Sequence, residues 1–475
     1  MSASSSAVAV ASQSSLRSLH HEQAFSPLRV EGRIPADLAG TLYRNAPARF
    51  TTGSRPHWFD GDGAIAAVRF EEGRAMGATR FLHTPSMDSD ANRERPRFGG
   101  FRQPIAPLQR LRALLGGQAI RNVANINVLP WQGRLFALYE TTPPLEIDGD
   151  TLESLGETTL DGLVRGGWNA HPRRVASRHT IYQFGLRIAR KVMLDVCALP
   201  SQGPARHLVS LPLPGVMELH DFFATDNHLV FALAPLWCSS LDLLRVGSFV
   251  EALEWRPREP TTLIVIPIDQ PEKWQRIETD PFFFWHSVNA FERDSGKTLV
   301  LDLIRYPDFA AIKRPLDALS DGLPLPQSSP SALWRGTVDL VHGTARWAPL
   351  WETPCEFGSV HRDVQGAPYK TAWMCTSAGP KSQGLDALAC VIPEVGKARL
   401  LGLESGCEVS EPAVIPRGSP AEEDVYVLAQ VASPQQGASF IGIWDGQHPE
   451  EGPVARAWFD QLLPGPLHGC WVGRR

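Results

Sequence analysis

The sequence has no apolar run approaching the ~20 residues of a membrane-spanning helix, so it predicts no such span. It also has no Cys-x-x-Cys pair. Its seven cysteines, Cys197, Cys238, Cys355, Cys375, Cys390, Cys407 and Cys470, are scattered and odd in number. That pattern argues against a disulfide framework or a thiolate zinc site and suits reduced thiols in a cytoplasmic protein. Runs of basic residues are missing and the net charge is -5, which leaves no electrostatic footprint for nucleic acid. No G-x-G-x-x-G fingerprint follows a strand, so neither nicotinamide nor flavin is expected. Helix-forming stretches are few, and no repeat of fixed period is visible.

What the chain does have is punctuation: 40 Gly and 40 Pro among 475 residues, with short β-branched or alternating apolar runs between them. TTLIVIPI (261–268), KTLVLDLIR (297–305), VYVLAQV (425–431) and FIGIWD (440–445) read as strands. Many short strands between turn signals predict an all-β sandwich, barrel or propeller, and the pattern alone does not choose among them. Residues 1–16 are rich in Ser and Ala, contain no acid and lack the apolar core of a secretory signal. Residues 1–27 are therefore read as a disordered tail and 28–475 as one domain. The stretch 321–332, DGLPLPQSSPSA, reads as a long surface loop. Two segments, 104–120 and 235–252, are rich in Leu, Val, Phe and Trp and fit short amphipathic helices. They serve either as caps on the core or as an apolar patch that dips into a membrane.

Fourteen histidines are too many to rank by residue type. Four share a setting of aromatic, small or apolar neighbours: His171 in WNAHP, His220 in MELHDFF, His286 in FFFWHSVNA and His468 in GPLHGCW. Such flanks suit imidazoles pointing from strand ends into a buried centre. Charged or open-loop neighbours instead surround His57, His83, His179, His361 and His448. Four neutral imidazoles suit a borderline first-row ion, iron or zinc. Zinc would be saturated by four tetrahedral ligands, whereas iron(II) takes more ligands and keeps positions open. Asp60 and Asp62 in FDGDG are read as aspartates capping the amides of a Gly-rich turn rather than as a hard-cation site.

The blocks GTLYRNAPARF (40–50), HWFDGDG (57–63), LHDFFATDNHLVF (219–231), FFFWHSVNAFE (282–292) and LHGCWVG (467–473) occur in one order over most of the chain. Together they resemble the carotenoid cleavage oxygenases from about residue 28 to 473. The resemblance implies an all-β, seven-bladed β-propeller capped by loops and short helices. It implies one Fe²⁺ per chain on the propeller axis, held by His171, His220, His286 and His468. It further implies that Glu140 orients His220, Glu356 orients His286 and Glu411 orients His468, leaving His171 without such a partner. The reaction implied is cleavage of a carbon–carbon double bond by O₂ into two carbonyl products. A lipophilic polyene, carotenoid or apocarotenoid, is the expected substrate, with Tyr139, Trp168, Phe222, Phe284 and Trp285 as candidate lining residues. Peripheral membrane contact would run through 104–120 and 235–252. Stilbene-cleaving relatives carry a lysine immediately before the first of these glutamates, where this chain has Tyr139. TTPPLEID (141–148) also departs from the Gly-Gly turn common in relatives. Tyr139 can still hydrogen-bond a phenol, so a stilbene or phenylpropenoid oxygenase stands as the alternative. A non-catalytic propeller that binds a ligand and a zinc hydrolase stand as alternatives of other classes.

Overall fold

In the computed structural model, residues 13–50, 57–90, 98–114, 120–188, 191–246, 248–323, 331–379, 384–419 and 421–474 are described. Alternating apolar patterns become antiparallel strands: the four runs singled out in the sequence form Thr261–Pro267, Thr298–Tyr306, Val425–Ser433 and Ala438–Asp445. Each pairs antiparallel with one strand before it and one after it; some of these pairs are joined by short turns, whereas the connections from Leu233 to Thr261 and from Tyr306 to Ala332 carry inserted helices.

Among the described residues these strands assemble into seven sheets of four or more strands, plus a three-stranded ribbon. One strand of each larger sheet lies against the inner strands of its neighbours around a common axis. In chain order these inner strands are Asn127–Trp131, Arg173–Val175, Phe223–Ala224, Phe283–Arg293, Cys355–Ser359, Ala413–Pro416 and His468–Gly473. The result is a seven-bladed propeller, all-β as expected. Ring closure uses both ends of the described chain. The last strand, His468–Gly473, pairs with Gly40–Arg49 as the inner edge of one blade. Arg29–Gly32 pairs with Ala455–Trp458 as the outer edge of the adjacent blade.

The blades pack on one another through apolar clusters. Phe222 stacks on Phe231, with ring centroids 5.0 Å apart and planes 4° apart, and Phe184 meets both edge-on. Phe223 stacks on Phe284 at 5.6 Å. Aromatic pairs of this kind add about 0.5–1.5 kcal/mol beyond the area they bury.

The remaining helices form a cap: Pro85–Asp90, Pro107–Leu114, Ser240–Val246, Phe249–Ala252 and Ala310–Ser320. The first apolar insert thus contains one helix and the second two. The pattern does not announce Ala310–Ser320, because Pro315 sits inside it and proline normally marks a break. The tail boundary also differs. Gln13–Leu16 forms a 3-10 turn and Gln23–Pro27 pairs with Arg74–Phe81, because an outer edge strand gains ladder bonds without strong hydrophobicity. Residues 1–12 of the expected tail, 115–119 and 247 of the inserts, and 324–330 of the expected loop lie outside the described residues.

Candidate metal centre and its cavity

Each inner strand begins near the axis, and that is where the chemistry-bearing residues sit. His171 lies two residues before Arg173–Val175, His220 three before Phe223–Ala224, His286 inside Phe283–Arg293, and His468 opens the last strand. One ligand atom from each of the four lies within 4.8 Å of every other. The remaining three blades carry the glutamates: Glu140 just after Arg134–Leu138, Glu356 in Cys355–Ser359, and Glu411 just before Ala413–Pro416. Each of the seven blades therefore supplies one of these seven residues.

The carboxylates face the outer ring nitrogens. His286 Nδ1 is 2.5 Å from Glu356 Oε2, and His468 Nδ1 is 3.0 Å from Glu411 Oε1. His220 Nδ1 is 2.5 Å from Glu140 Oε1, an approach off the hydrogen-bond direction. Glu356 also accepts from the Tyr306 hydroxyl at 2.6 Å and from the Phe357 amide at 2.9 Å. Glu411 pairs with the buried Arg44 at 2.9 Å. His171 has no carboxylate; its amide donates to Asn169 Oδ1, and Asn169 Nδ2 donates to the His220 carbonyl.

With Nδ1–H turned to a carboxylate, each Nε2 presents a lone pair. His220 Nε2 and His286 Nε2 face each other at 3.4 Å, and two lone pairs there repel unless a cation lies between them. The buried His171 Nε2 has no protein partner. This donor set fits a first-row divalent ion.

Burial and the neighbouring imidazoles hold His171 and His286 well below the ordinary histidine range. For His220 burial works against charge, but Glu140 and its neighbours together raise it. Burial pushes Glu356 up to about 7. For Glu411 burial raises the pKa, and His468 with Arg44 more than reverse it. A dication at the centre would favour the ionised carboxylates and neutral imidazoles that ligation needs.

A cavity of about 690 Å³ opens onto His220, His286 and His468. Its walls include Trp58, Phe59, Phe101, Ile120, Ile126, Phe249, Phe357 and Leu467, with Tyr139 and Trp285 among them. A larger, more polar cavity of about 1760 Å³ runs along the inner strands and reaches His171.

Of the five lining residues proposed from sequence, Tyr139 and Trp285 line the first cavity. Trp168, Phe222 and Phe284 do not: all three belong to clusters packed within and between blades. For Phe284 the cause is local. The ladder register shifts between Phe284 and Ser287, which breaks strand alternation, so Trp285 and His286 both reach the cavity while Phe284 turns to Phe223. The residues missed, Trp58 and Phe59, were present in HWFDGDG, but their direction depends on a turn that spacing does not encode.

Asp60 and Asp62 do not cap their own turn. Asp60 accepts the distant Phe101 and Arg102 amides at 2.5 and 3.1 Å, fastening that segment over the cavity. Asp62 pairs with Arg121 at 2.7 Å and Arg49 at 3.1 Å. His57 and His361, set apart by their polar neighbours in sequence, are each 2% exposed.

Burial, then the charges of Arg102 and Lys313, depress His57 to about 3. The unfolded chain takes up this proton near 6.5 and the folded chain does not, so stability falls as pH drops from 6.5 towards 3. His57→Asn keeps an acceptor for the Phe59 amide without titrating. Denaturant melts at pH 6.5 and 4.5 should show the wild type losing roughly 2–3 kcal/mol more than this variant. Equal losses would refute the assignment.

The family model for retinal pigment epithelial membrane protein matches residues 16–473. The chain is 29% identical to the apocarotenoid-15,15'-oxygenase of Synechocystis sp., over 93% of this chain and 92% of that protein. It is 27% identical to resveratrol cleavage oxygenase 1 of Botryotinia fuckeliana, over 94% and 82%. It is 26% identical to lignostilbene-alpha,beta-dioxygenase isozyme III of Sphingomonas paucimobilis, over 96% of both. A crystal structure of the cobalt-substituted Synechocystis apocarotenoid oxygenase superposes with a TM-score of 0.84 at 27% identity, covering 97% of this chain and 98% of that one.

Proposed function

Because this chain belongs to the retinal pigment epithelial membrane protein family of carotenoid oxygenases, we propose that it is an iron(II) dioxygenase that cleaves a C=C bond of a carotenoid or apocarotenoid. The single observation that carries the reading is four imidazole lone pairs converging where an apolar cavity ends. His171, His220, His286 and His468 would hold the metal, and Glu140, Glu356 and Glu411 would fix three of the rings. Three carboxylates set against a dication, with Arg44 beside Glu411, leave the centre close to neutral, which a buried site requires.

Iron(II), when bound, supplies the dioxygen chemistry. The protein's part is to hold one double bond at the centre and keep water away. Trp285 and Phe357 flank His220 and His286, so the alkene meets aromatic faces there. Leu108 and Leu111 on one cap helix are 60% and 57% exposed, and Leu241 on another is 73% exposed. Phe249, on the helix that follows Ser240–Val246, lines the cavity itself. These exposed leucines support peripheral contact with a membrane that holds the substrate, and among the described residues no helix is long and apolar enough to cross one.

The Tyr139 hydroxyl favours a second reading, a hydroxylated stilbene or phenylpropenoid, since a phenol in this wall can bond a phenol. Iron-loaded protein incubated under labelled O₂ with an apocarotenal and a hydroxystilbene distinguishes the two. The expected result is label in both carbonyl products of the apocarotenal. Cleavage of the stilbene alone overturns the substrate, and cleavage without oxygen overturns the iron reading.

A further inference from the structure

The cavity wall is not uniformly apolar. Glu218 lies on it, with its side chain only 4% exposed. Its carboxyl stands 4.0 Å from His220 Nδ1, which Glu140 approaches far more closely, at 2.5 Å. Glu218 is thus not the carboxylate that orients this ring.

The cavity that Glu218 lines also carries polar atoms without hydrogen-bond partners. The indole N–H groups of Trp58 and Trp285 line the same cavity, belong to residues 4% and 2% exposed, and make no hydrogen bond. The Thr141 hydroxyl, also on this wall, has no partner either. Trp285 lies close to Glu218, yet its N–H makes no well-formed bond there.

A buried carboxyl held only by a 4.0 Å approach to His220 and by the nearby Trp285 costs free energy that a hydrocarbon ligand cannot offset. A fold that keeps several such groups on one wall leaves them for something that enters. A plain polyene would add to the cost by displacing water from them. A ligand hydroxyl would satisfy the carboxyl by donating to it and could accept from an indole N–H.

We propose that Glu218 is a specificity-determining residue that receives a hydroxyl group borne by the substrate near the scissile double bond. The inference rests on the alkene-cleaving reading and narrows its substrate class to hydroxylated alkenes. Two sources carry that chemistry: a hydroxylated apocarotenoid and a hydroxylated stilbene.

The test compares kcat/KM of the iron-loaded enzyme for two matched pairs, an apocarotenal with and without a hydroxyl and a stilbene with and without one. The wild type should prefer the hydroxylated member of at least one pair roughly 10- to 100-fold, the usual discrimination from a buried polar contact. The pair showing the preference identifies the source. Glu218→Leu should abolish that preference, bringing kcat/KM for the hydroxylated member level with that of its deoxy partner. It should also melt at a higher temperature than the wild type, since it removes a buried carboxyl with no close ion pair; a merely structural glutamate would give the opposite shift. Equal kcat/KM within both pairs for the wild type, or a preference that survives in Glu218→Leu, overturns the proposal.

Binding of the hydroxylated and deoxy stilbenes to metal-free protein, followed by quenching of tryptophan fluorescence, separates the two levels. Glu218-dependent binding without any cleavage would leave the hydroxyl site standing and remove the oxygenase reading.

Discussion

His171→Ala is expected to fold normally and to lose both iron and alkene cleavage. The other three candidate ligands are tied to a glutamate, so removing one strands a buried carboxylate and mixes metal loss with instability. Glu356 shows the problem: it is fully buried and its Oε2 faces His286 at 2.5 Å. His171 has no such tie, and its Nε2 makes no bond within the protein. Its loss therefore removes one donor from four while leaving each carboxylate paired. Iron affinity should fall more than about 100-fold, beyond the usual range for losing a residue that only orients a ligand. Metal analysis after anaerobic reconstitution should give far below one iron per chain, with an unchanged circular dichroism spectrum. Full iron occupancy in this variant would falsify the four-histidine centre.

Asp221→Ala should be the most destabilising single change near the axis. Asp221 is fully buried beside His220. It accepts from Arg173 Nε at 2.8 Å and again from Arg173 Nη2, from the Ser287 amide at 2.7 Å and from the Phe222 amide at 2.7 Å. Arg173 follows His171 by two positions and Ser287 follows His286 by one, so a single carboxylate ties three histidine-bearing segments together. Removing it leaves Arg173, itself 25% exposed, without its counter-charge and the buried Phe222 and Ser287 amides without an acceptor. Breaking a buried pair of this kind costs about 3–5 kcal/mol. The metal-free variant should unfold at clearly lower denaturant concentration, and weaker iron binding should accompany that shift. A midpoint within error of the wild type would show that the tie carries no load.

Much of this architecture was legible before any coordinates. The short apolar runs marked strands, because alternation is a direct consequence of sheet geometry. The aromatic flanks of the four histidines narrowed fourteen candidates, and the ordered blocks assigned roles to them. Direction was harder to read. Phe222 and Phe284 sit in the same motifs as His220 and His286, yet both pack in the core; for Phe284 a register shift at 284–287 resets the alternation. Asp60 was expected to bond its own turn and instead reaches residues 101 and 102, a long-range choice that local spacing does not encode. Glu218, two positions before His220, carries no signal in the sequence that sets it apart. Only the cavity gave it a role.

The histidine that opens the closing strand makes completion of the four-imidazole cluster depend on ring closure. His468 lies in the last inner strand, which must pair with Gly40–Arg49 to complete the ring. A nascent chain that has not yet exposed residue 468 can gather at most three of the four imidazoles and cannot close the propeller. The four-imidazole cluster is therefore complete only once the ring has closed.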